Sequence, residues 1–341
     1  MAPRPVGIAV IGCGSTAHRR HLPVWRDLPG ARLVAVASRD PVRRADAARL
    51  YGAERAVGDW RELLADPSVE GVDICAPHAQ HAEMARAMAQ AGKHILCEKP
   101  LAPTLVEAQE MAQAAQASGV ILLPFLNLRL LGPVQTAISL VRDGAIGRPR
   151  VVRGVMAHGG PDRTEARRAW FWGAESGGGA VLDLGPHMFD LVAQVVSSRP
   201  RRVRATVVRD PEMSVERDGF IEVEFEDGCV AQVHLSWSML AARETSLSVQ
   251  GDGGTLRVQL LLAPPPSPDG TPAPLVLSGG GDTGVATSYP EPGPATDPCA
   301  LFVRAIQGER VALTAEAGVE SIRYVDAAYR SRRGGGDWVP F

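Results

Sequence analysis

Short apolar runs alternate with helical segments throughout the first 125 residues. The runs occupy residues 6–11, 33–37, 72–76, 94–97 and 120–123. Ala-rich segments with apolar residues at helical spacing lie between them, at residues 41–51, 79–91 and 104–118. Because the runs hardly alternate with polar residues, they are typical of strands buried on both faces of a parallel sheet. The pattern therefore predicts a Rossmann-type α/β domain, a doubly wound parallel sheet with helices on both faces.

The pattern changes after Asn127, where polar and apolar residues alternate along shorter segments. The clearest of these are residues 203–208, 220–225, 230–237 and 245–250, several of them separated by glycine-containing turns. Alternation is typical of an antiparallel sheet with one buried and one solvent-facing side. We therefore predict a C-terminal α+β domain built on an open, mainly antiparallel sheet. The predicted boundaries are residues 1–126 for the first domain and 127–341 for the second domain.

Two segments of the second domain stand apart from this alternation. Residues 263–298 are rich in proline and glycine, which is typical of a long surface excursion. Residues 316–331 carry apolar residues at helical spacing, and we predict that they form a closing amphipathic helix.

Composition narrows the class of protein. The 341 residues include 36 basic and 38 acidic ones, a balance that gives no general attraction to nucleic acid or to acidic membranes. The sequence holds no run of about 18 apolar residues and no signal-peptide pattern, so we expect a cytoplasmic protein. Its five cysteines are widely spaced and form no Cys-x-x-Cys pair, which argues against a disulfide framework or a cysteine zinc site.

One bias among the basic residues is unusual. Only Lys93 and Lys99 are lysines, so arginine carries nearly all of the positive charge, and Asn127 is the only asparagine. Lysine, unlike arginine, offers a compact charge and a proton that can be released. A rare lysine is therefore a candidate for chemistry that arginine cannot perform. Lys93 precedes an apolar run, and we expect it to be a solvated cap.

A Gly-x-Gly-x-x-Ala motif follows the first predicted strand and leads into a helix. Gly12 permits a tight turn, Gly14 lets the backbone approach a pyrophosphate, and the small Ala17 lets the helix pack closely. The helix N-terminus presents free N–H groups to the anion. We predict a dinucleotide site here, with Ser15 and Thr16 among its residues. The alternative is that the glycines serve the turn alone.

The second predicted strand ends in Ser38, Arg39 and Asp40. An acidic residue at such a strand end accepts hydrogen bonds from the ribose hydroxyls of NAD, whereas Ser38 and Arg39 offer a hydroxyl and a cation to a 2′-phosphate. We therefore favour NADP(H) over NAD(H) as the cofactor. Two alternatives stay open: Asp40 turns back toward the ribose, or Arg39 is one surface arginine among many.

Two further motifs carry the most specific signal. The first is a Glu-Lys-Pro turn at residues 98–100, directly after an apolar run. The second follows a glycine run and contains Asp183, Gly185 and His187 in an Asp-x-Gly-x-His pattern. Together with the glycine motif, they resemble the glucose–fructose oxidoreductase/inositol dehydrogenase (Gfo/Idh/MocA) family. The resemblance extends nearly from end to end.

The resemblance implies hydride transfer between a nicotinamide ring and a secondary alcohol or ketone of a sugar, a cyclitol or a related small molecule. It implies that Lys99 lies beside the nicotinamide and the substrate oxygen. It places Asp183 and His187 across the pocket, with His187 moving the hydroxyl proton. It also implies a homodimer or homotetramer formed through the outer face of the open sheet.

The residue types suit those catalytic roles. Oxidation of an alcohol needs a base that titrates near the working pH, and His187 supplies one. Pro186 suits the first position of a helix, so we expect His187 in the first turn, where the positive helix end keeps the imidazole neutral. Lys99 can stabilise the developing alkoxide, and Asp183 can orient the imidazole. The competing interpretations are a helix N-cap for Asp183 and a buried, satisfied His187.

Further residues are candidates for binding the cofactor or the substrate. The cofactor candidates besides the glycine motif are Pro77, His78, His81, Glu98 and Lys99. The substrate candidates are Arg129, His158 and Trp170. A tryptophan face suits the apolar side of a sugar ring, but a buried core position suits Trp170 equally well. His78 and His81 have His-x-x-His spacing without a third ligand, so we expect no metal site.

Two other functions stay open at this point. An enzyme of the same fold could hold NAD tightly and oxidise its substrate transiently, which gives net glycoside cleavage or elimination. A non-catalytic regulatory protein could sense the dinucleotide without turnover. The complete set of Lys99, Asp183 and His187 argues against this second alternative.

Overall fold

The computed structural model describes residues 4–161, 171–173, 178–209, 214–240, 243–260, 275–279, 286–289 and 296–341. The chain divides into two compact units. The first comprises residues 1–126 and 297–319, and the second comprises residues 127–296 and 320–341. Residues 297–319 therefore belong to the first unit, although the sequence pattern assigned them to the second domain.

The first unit is built on a six-stranded parallel sheet. Its strands are β1 (Val6–Ile11), β2 (Ala31–Ala37), β3 (Arg55–Val57), β4 (Gly71–Ile74), β5 (His94–Cys97) and β6 (Leu122–Pro124). Their order is β3-β2-β1-β4-β5-β6, and all neighbours are parallel. Every position of β1 is buried, which explains why its sequence does not alternate. The predicted Rossmann-type sheet is confirmed.

The second unit is built on a nine-stranded mixed sheet. Its strands are β7 (Pro149–Ala157), β8 (Pro200–Arg209), β9 (Glu216–Phe225), β10 (Val230–Ser236), β11 (Glu244–Gly251), β12 (Gly254–Gln259), β13 (Leu275–Gly279), β14 (Ala286–Tyr289) and β15 (Val339–Pro340). Their order is β14-β13-β12-β11-β7-β10-β9-β8-β15. The β7–β10 pair is parallel and the other pairs are antiparallel. The predicted open, mainly antiparallel sheet is confirmed.

Two strands of this sheet come from residues that we predicted as a surface excursion. Strands β13 and β14 lie within residues 263–298 and pair antiparallel with β12 and with each other. The sequence pattern did not indicate these strands, because the proline and glycine content of the whole segment obscured two short runs. The rest of the segment before Thr296 lies outside the described residues.

The described residues include eight α-helices. They are α1 (Leu22–Asp27), α2 (Pro41–Tyr51), α3 (His81–Gln90), α4 (Leu105–Ala117), α5 (Gly132–Arg142), α6 (Ala180–Val195), α7 (Pro298–Ile306) and α8 (Ala315–Arg333). A π-helical turn, Ala17–His21, leads directly into α1. No helix in the part of the chain that the structure describes has the length and apolar character to cross a membrane.

Helix α7 completes the core of the first unit. Its Cys299 and Phe302 are fully buried and belong to one apolar cluster with Ile8 and Trp25. The Phe302 ring packs over Gly71, where a Cβ would come within 2.9 Å of it. The apolar face of α7 thus explains why a segment so late in the sequence joins the first unit.

Helix α6 packs on the buried face of the nine-stranded sheet. Gly154 of β7 and Gly219 of β9 have no side chain, and Met188 and Val181 of α6 occupy the space that a Cβ would need. This close approach of backbone and helix fixes α6, which carries two of the predicted catalytic residues.

Candidate active site

The predicted phosphate-binding loop lies between β1 and the π-helical turn. Gly12 has a φ of +100°, and a Cβ there would come within 2.6 Å of the Cys75 carbonyl oxygen, so a side chain is excluded. Gly14 faces open space, since a Cβ built there meets nothing within 4 Å. The loop therefore leaves room for an anion at the amino end of a helix, and these residues fit the pyrophosphate of a dinucleotide.

The end of β2 holds the residues that we associate with cofactor choice. Asp40 is the N-cap of α2, and its Oδ1 accepts hydrogen bonds from the N–H groups of Val42 and Arg43 at 3.0 and 3.1 Å. Its Oδ2 lies 3.3 Å from Arg43 Nε. Both oxygens of Asp40 are therefore engaged by its own helix. Ser38 Oγ accepts a hydrogen bond from the Asp40 N–H at 3.3 Å.

The turn at residues 98–100 follows β5 at the carboxyl edge of the parallel sheet, the edge that also carries the glycine loop. Ligands of open α/β sheets bind outside this edge. The peptide bond between Lys99 and Pro100 is cis, and Lys99 is half-buried. Glu98 Oε2 accepts a hydrogen bond from the Lys99 N–H at 2.9 Å, and Glu98 Oε1 lies 2.9 Å from His21 Nε2. Both carboxylate oxygens of Glu98, a predicted cofactor-binding residue, thus have partners within the first unit.

His81 supports the same turn from within the protein. Its Nδ1 lies 3.0 Å from the Pro100 carbonyl oxygen and its Nε2 lies 2.9 Å from the Ala76 carbonyl oxygen. Burial lowers the pKa of His81 more than these contacts raise it. The neighbouring His78 is 4% exposed, and its ring meets that of His81 edge-on at 5.7 Å between centroids. His81 therefore links the Pro77 turn to the turn at residues 98–100.

Asp183 and His187 lie one turn apart on α6 and are 7% and 6% exposed. The expected helix start was wrong, because α6 begins at Ala180 and Pro186 lies inside the helix. His187 is therefore in the middle of α6, where the positive helix end has little influence. Asp183 lies in the first turn, where that end favours a carboxylate. The N-cap residue is Gly179, so Asp183 does not act as the cap.

Glu216 of β9 holds the start of α6. Its Oε1 accepts hydrogen bonds from the Val181 N–H at 3.0 Å and from the Tyr329 hydroxyl at 2.9 Å. Gly179 has a φ of +113°, and a Cβ there would overlap the Glu216 carboxylate. Burial raises the pKa of Glu216. No local motif indicates Glu216, because this partner of the first turn of α6 comes from a distant strand.

Arg129 forms a buried ion pair with Asp190 of α6. Its Nε donates to Asp190 Oδ2 at 2.7 Å, and a second guanidinium nitrogen contacts Asp190 Oδ1. The two side chains are 8% and 2% exposed. Burial raises the pKa of Asp190 more than Arg129 lowers it. The guanidinium of Arg129, a predicted substrate-binding residue, is thus bound to a carboxylate of its own unit.

The two other substrate candidates differ in what is described. His158 follows β7 and is half-buried, and its Nδ1 accepts a hydrogen bond from the Gly160 N–H at 2.9 Å. The proton of a neutral His158 ring is therefore on Nε2. Trp170 lies outside the described residues.

Lys93 does not form the solvated cap that we expected. It is 9% exposed, and its Nζ donates to the carbonyl oxygens of Asp66 and Val69 at 2.7 and 2.9 Å. The correction has a simple physical reason, because three N–H donors can satisfy carbonyl groups that a loop leaves without partners. Lys93 thus has a structural role in the first unit.

Two family models match most of the chain. Residues 6–125 match the model of the Gfo/Idh/MocA oxidoreductase family with its NAD-binding Rossmann fold. Residues 134–257 match the model of a Gfo/Idh/MocA C-terminal domain. The two matches together cover the predicted dinucleotide-binding domain and most of the nine-stranded sheet.

Relatives and solved structures agree with these matches. A D-apiose dehydrogenase of Paraburkholderia graminis is 31% identical over 73% of this chain and 66% of its own length. A 1,5-anhydro-D-fructose reductase of Ensifer adhaerens is 34% identical over 67% of this chain and 68% of its own length. The structure of a levoglucosan dehydrogenase in complex with NADH and levoglucosan superposes with a TM-score of 0.85 at 23% identity, covering 99% of both chains. The last comparison supports the fold.

Proposed function

Because this chain belongs to the Gfo/Idh/MocA oxidoreductase family, we propose that it transfers hydride between a nicotinamide dinucleotide and a secondary alcohol or ketone of a sugar, a cyclitol or a related small molecule. The observation that carries the proposal is the open space beside Gly14, on the same sheet edge as the Lys99 turn. The names of the two relatives, a D-apiose dehydrogenase and a 1,5-anhydro-D-fructose reductase, support a sugar as the substrate.

The chain supplies a group for each charge that changes in this reaction. A nicotinamide, when bound, accepts or supplies the hydride. In the oxidation direction, His187 takes the proton from the hydroxyl oxygen while the hydride leaves the carbon that bears this hydroxyl, so the oxygen becomes a carbonyl oxygen. Lys99 donates a hydrogen bond to that oxygen as its negative charge develops. Asp183, one turn before His187 on α6, stabilises the imidazole once it is charged.

We propose NADP(H) rather than NAD(H) as the preferred cofactor. Asp40 caps α2 with one oxygen and pairs with Arg43 through the other, so its charge is already balanced at the end of β2. Arg44 donates to the carbonyl oxygens of Ser38 and Arg39 at 3.1 and 3.3 Å, which brings a further positive charge to this strand end. Excess positive charge here favours a 2′-phosphate.

Replacement of Arg39 by alanine is expected to weaken NADPH binding by about 10- to 100-fold, the effect of losing a charged hydrogen bond to phosphate. The affinity for NADH, which lacks that phosphate, is expected to stay unchanged within error. Fluorescence titration of the wild type and the variant with both cofactors measures the difference. Arg49→Ala is the matched control, because Arg49 lies on α2 and pairs with Asp46 at the surface. Tight NADH binding without NADPH preference in the wild type contradicts the assignment.

A substrate screen tests the proposed reaction. The enzyme with its preferred cofactor is offered polyols and cyclitols in one direction and keto-sugars in the other. We expect a change of nicotinamide absorbance that is stoichiometric with product. Substrate conversion without that change would instead indicate a tightly held NAD and net cleavage or elimination. Dinucleotide binding without turnover across the whole panel would indicate a sensor protein.

We propose that copies of this chain assemble through the outer face of the nine-stranded sheet. Phe220 of β9 is 49% exposed, and its ring stacks on His234 of β10 at 4.4 Å between centroids. Val208 of β8 adds a second exposed apolar side chain, also at 49%. Light scattering decides between a dimer or tetramer and a single 36.2 kDa chain, and the latter result contradicts the proposal.

A further inference from the structure

A buried polar network lies beneath the turn that carries Lys99. His21, the last residue of the π-helical turn, and Asp73 of β4 are both fully buried. His21 Nδ1 lies 2.8 Å from Asp73 Oδ2, and His21 Nε2 lies 2.9 Å from Glu98 Oε1. Trp25 Nε1 donates to the same Asp73 oxygen at 2.6 Å. The network thus connects the helix after the glycine loop to the first residue of the Glu-Lys-Pro turn.

The two contacts of the imidazole define its charge. A carboxylate only accepts hydrogen bonds, so both ring nitrogens of His21 must carry a proton when Asp73 and Glu98 are ionised. Burial lowers the pKa of His21, but Asp73 and the neighbouring Cys75 together raise it, and the pKa is well above its usual value. An imidazolium between two carboxylates is therefore the stable arrangement.

The other titratable groups that face His21 are thiols, and they stay neutral. A carboxylate oxygen of Asp73 and the Sγ of Cys299 lie within 4.8 Å of a ring nitrogen of His21. Cys75 Sγ lies 3.6 Å from Asp73 Oδ1. Burial raises the pKa of both cysteines, so neither adds a charge. The 2.8 Å between His21 Nδ1 and Asp73 Oδ2 is a hydrogen-bond distance, and the same oxygen also accepts a hydrogen bond from Trp25. A proton on Nδ1 therefore joins the imidazole to Asp73.

We propose that His21 is a positioning residue for Lys99 and acts through Glu98. The Glu98 carboxylate has one oxygen on His21 and the other on the Lys99 N–H, so the imidazolium fixes the carboxylate that fixes the start of the turn. His81 contacts the carbonyl oxygen of Pro100, the residue after Lys99. The inference rests on the proposed function, since it concerns the placement of the ammonium that would stabilise the substrate oxygen.

The scarcity of lysine makes this placement measurable. Selective ¹⁵N labelling of lysine gives only two backbone amide signals, those of Lys93 and Lys99. Both amides are hydrogen-bonded, Lys93 to the Met88 carbonyl oxygen and Lys99 to the Glu98 carboxylate, each at 2.9 Å. Lys93 therefore serves as an internal reference within the same molecule.

Replacement of His21 by asparagine is expected to shift the Lys99 amide signal and to speed its hydrogen exchange by about tenfold or more, because the carboxylate that accepts its hydrogen loses its own anchor. The Lys93 signal is expected to stay unchanged. In steady-state assays kcat is expected to fall by about 10- to 100-fold, the effect of misplacing a catalytic group, while KM and cofactor affinity stay close to wild type.

Two further variants complete the test. Glu98→Gln conserves volume, removes one carboxylate charge and is expected to affect Lys99 in the same way as His21→Asn, even if the latter folds poorly. His18→Asn is the matched control, because His18 lies on the same π-helical turn and pairs with Tyr51 at 3.2 Å. It is expected to leave the Lys99 signal and kcat unchanged.

The outcomes separate this inference from the proposed function. A Lys99 amide that is unaffected by both His21→Asn and Glu98→Gln overturns the inference. Wild-type kcat in a variant whose Lys99 signal has moved overturns it as well. Wild-type turnover by Lys99→Met overturns the proposed role of Lys99, whatever the amide signals show.

Discussion

Lys99→Met is expected to lower kcat by about 10²- to 10³-fold, the usual effect of removing one donor from a developing oxyanion. Methionine keeps the length of the side chain and removes the ammonium, so the change isolates the charge and the hydrogen bond. Cofactor affinity is expected to be largely kept, because the glycine loop of the first unit is untouched. His187→Asn is expected to lower kcat by about 10²- to 10⁴-fold, the usual contribution of a general acid or base.

Steady-state kinetics at saturating cofactor measure both effects, and fluorescence titration measures the cofactor affinity. Lys99→Arg is the sharper control. Arginine keeps the positive charge but replaces the compact ammonium with a planar fork, so we expect this variant to be impaired as well. An active Lys99→Arg enzyme would show that the rare lysine at this position is a coincidence of composition. Near-wild-type turnover in Lys99→Met and His187→Asn together removes the proposed chemistry.

Arg129→Leu is expected to lower the free energy of unfolding by about 3–5 kcal/mol, because it leaves Asp190 buried without a partner. Both side chains are nearly inaccessible to water, so solvent cannot replace the lost guanidinium. Without Arg129, the pKa of Asp190 rises further, and the folded protein holds a proton that the unfolded chain releases. The stability of the variant is therefore expected to fall as the pH rises above about 4, the ordinary pKa of an aspartate.

Urea denaturation of three variants tests this expectation. The double variant Arg129→Leu/Asp190→Leu removes both charges and is expected to recover much of the lost stability. Arg150→Leu is the surface control, because Arg150 makes a similar two-contact pair with Asp252 at 2.6 and 3.0 Å, but both side chains are about half-exposed. Its midpoint is expected to stay unchanged within error. An equally small effect of Arg129→Leu contradicts the structural importance of the buried pair.

The first sheet could be predicted because burial on both faces leaves a direct mark on the sequence. The run at residues 6–11 and strand β1 coincide, as do the helix predicted at residues 41–51 and α2. Strand β3 was missed because Arg55 and Ala56 are exposed, so the strand has no apolar run. Short edge strands depend on their neighbours, which no local pattern records.

The features that were missed in the candidate site depend on distant partners. His21 contacts Asp73 and Glu98, which are 52 and 77 residues away in sequence. The start of α6 was misjudged at Pro186, because the group that accepts a hydrogen bond from the Val181 N–H in its first turn is Glu216 on another strand. Residue types identify candidates such as Lys99 and His187. Their supporting partners are set by the fold and become visible only in the structure.

The ends of the nine-stranded sheet have a consequence for solubility. Strand β15 forms one edge with only two residues, and one of them is Pro340, which has no N–H to donate. Among the residues that the structure describes, strand β14 forms the other edge with four residues, whereas β8 and β9 in the sheet have ten each. Long unpaired edges recruit further strands and lead to aggregation, and the described part of this sheet ends in two short strands. Edges as short as these disfavour edge-to-edge growth of the sheet.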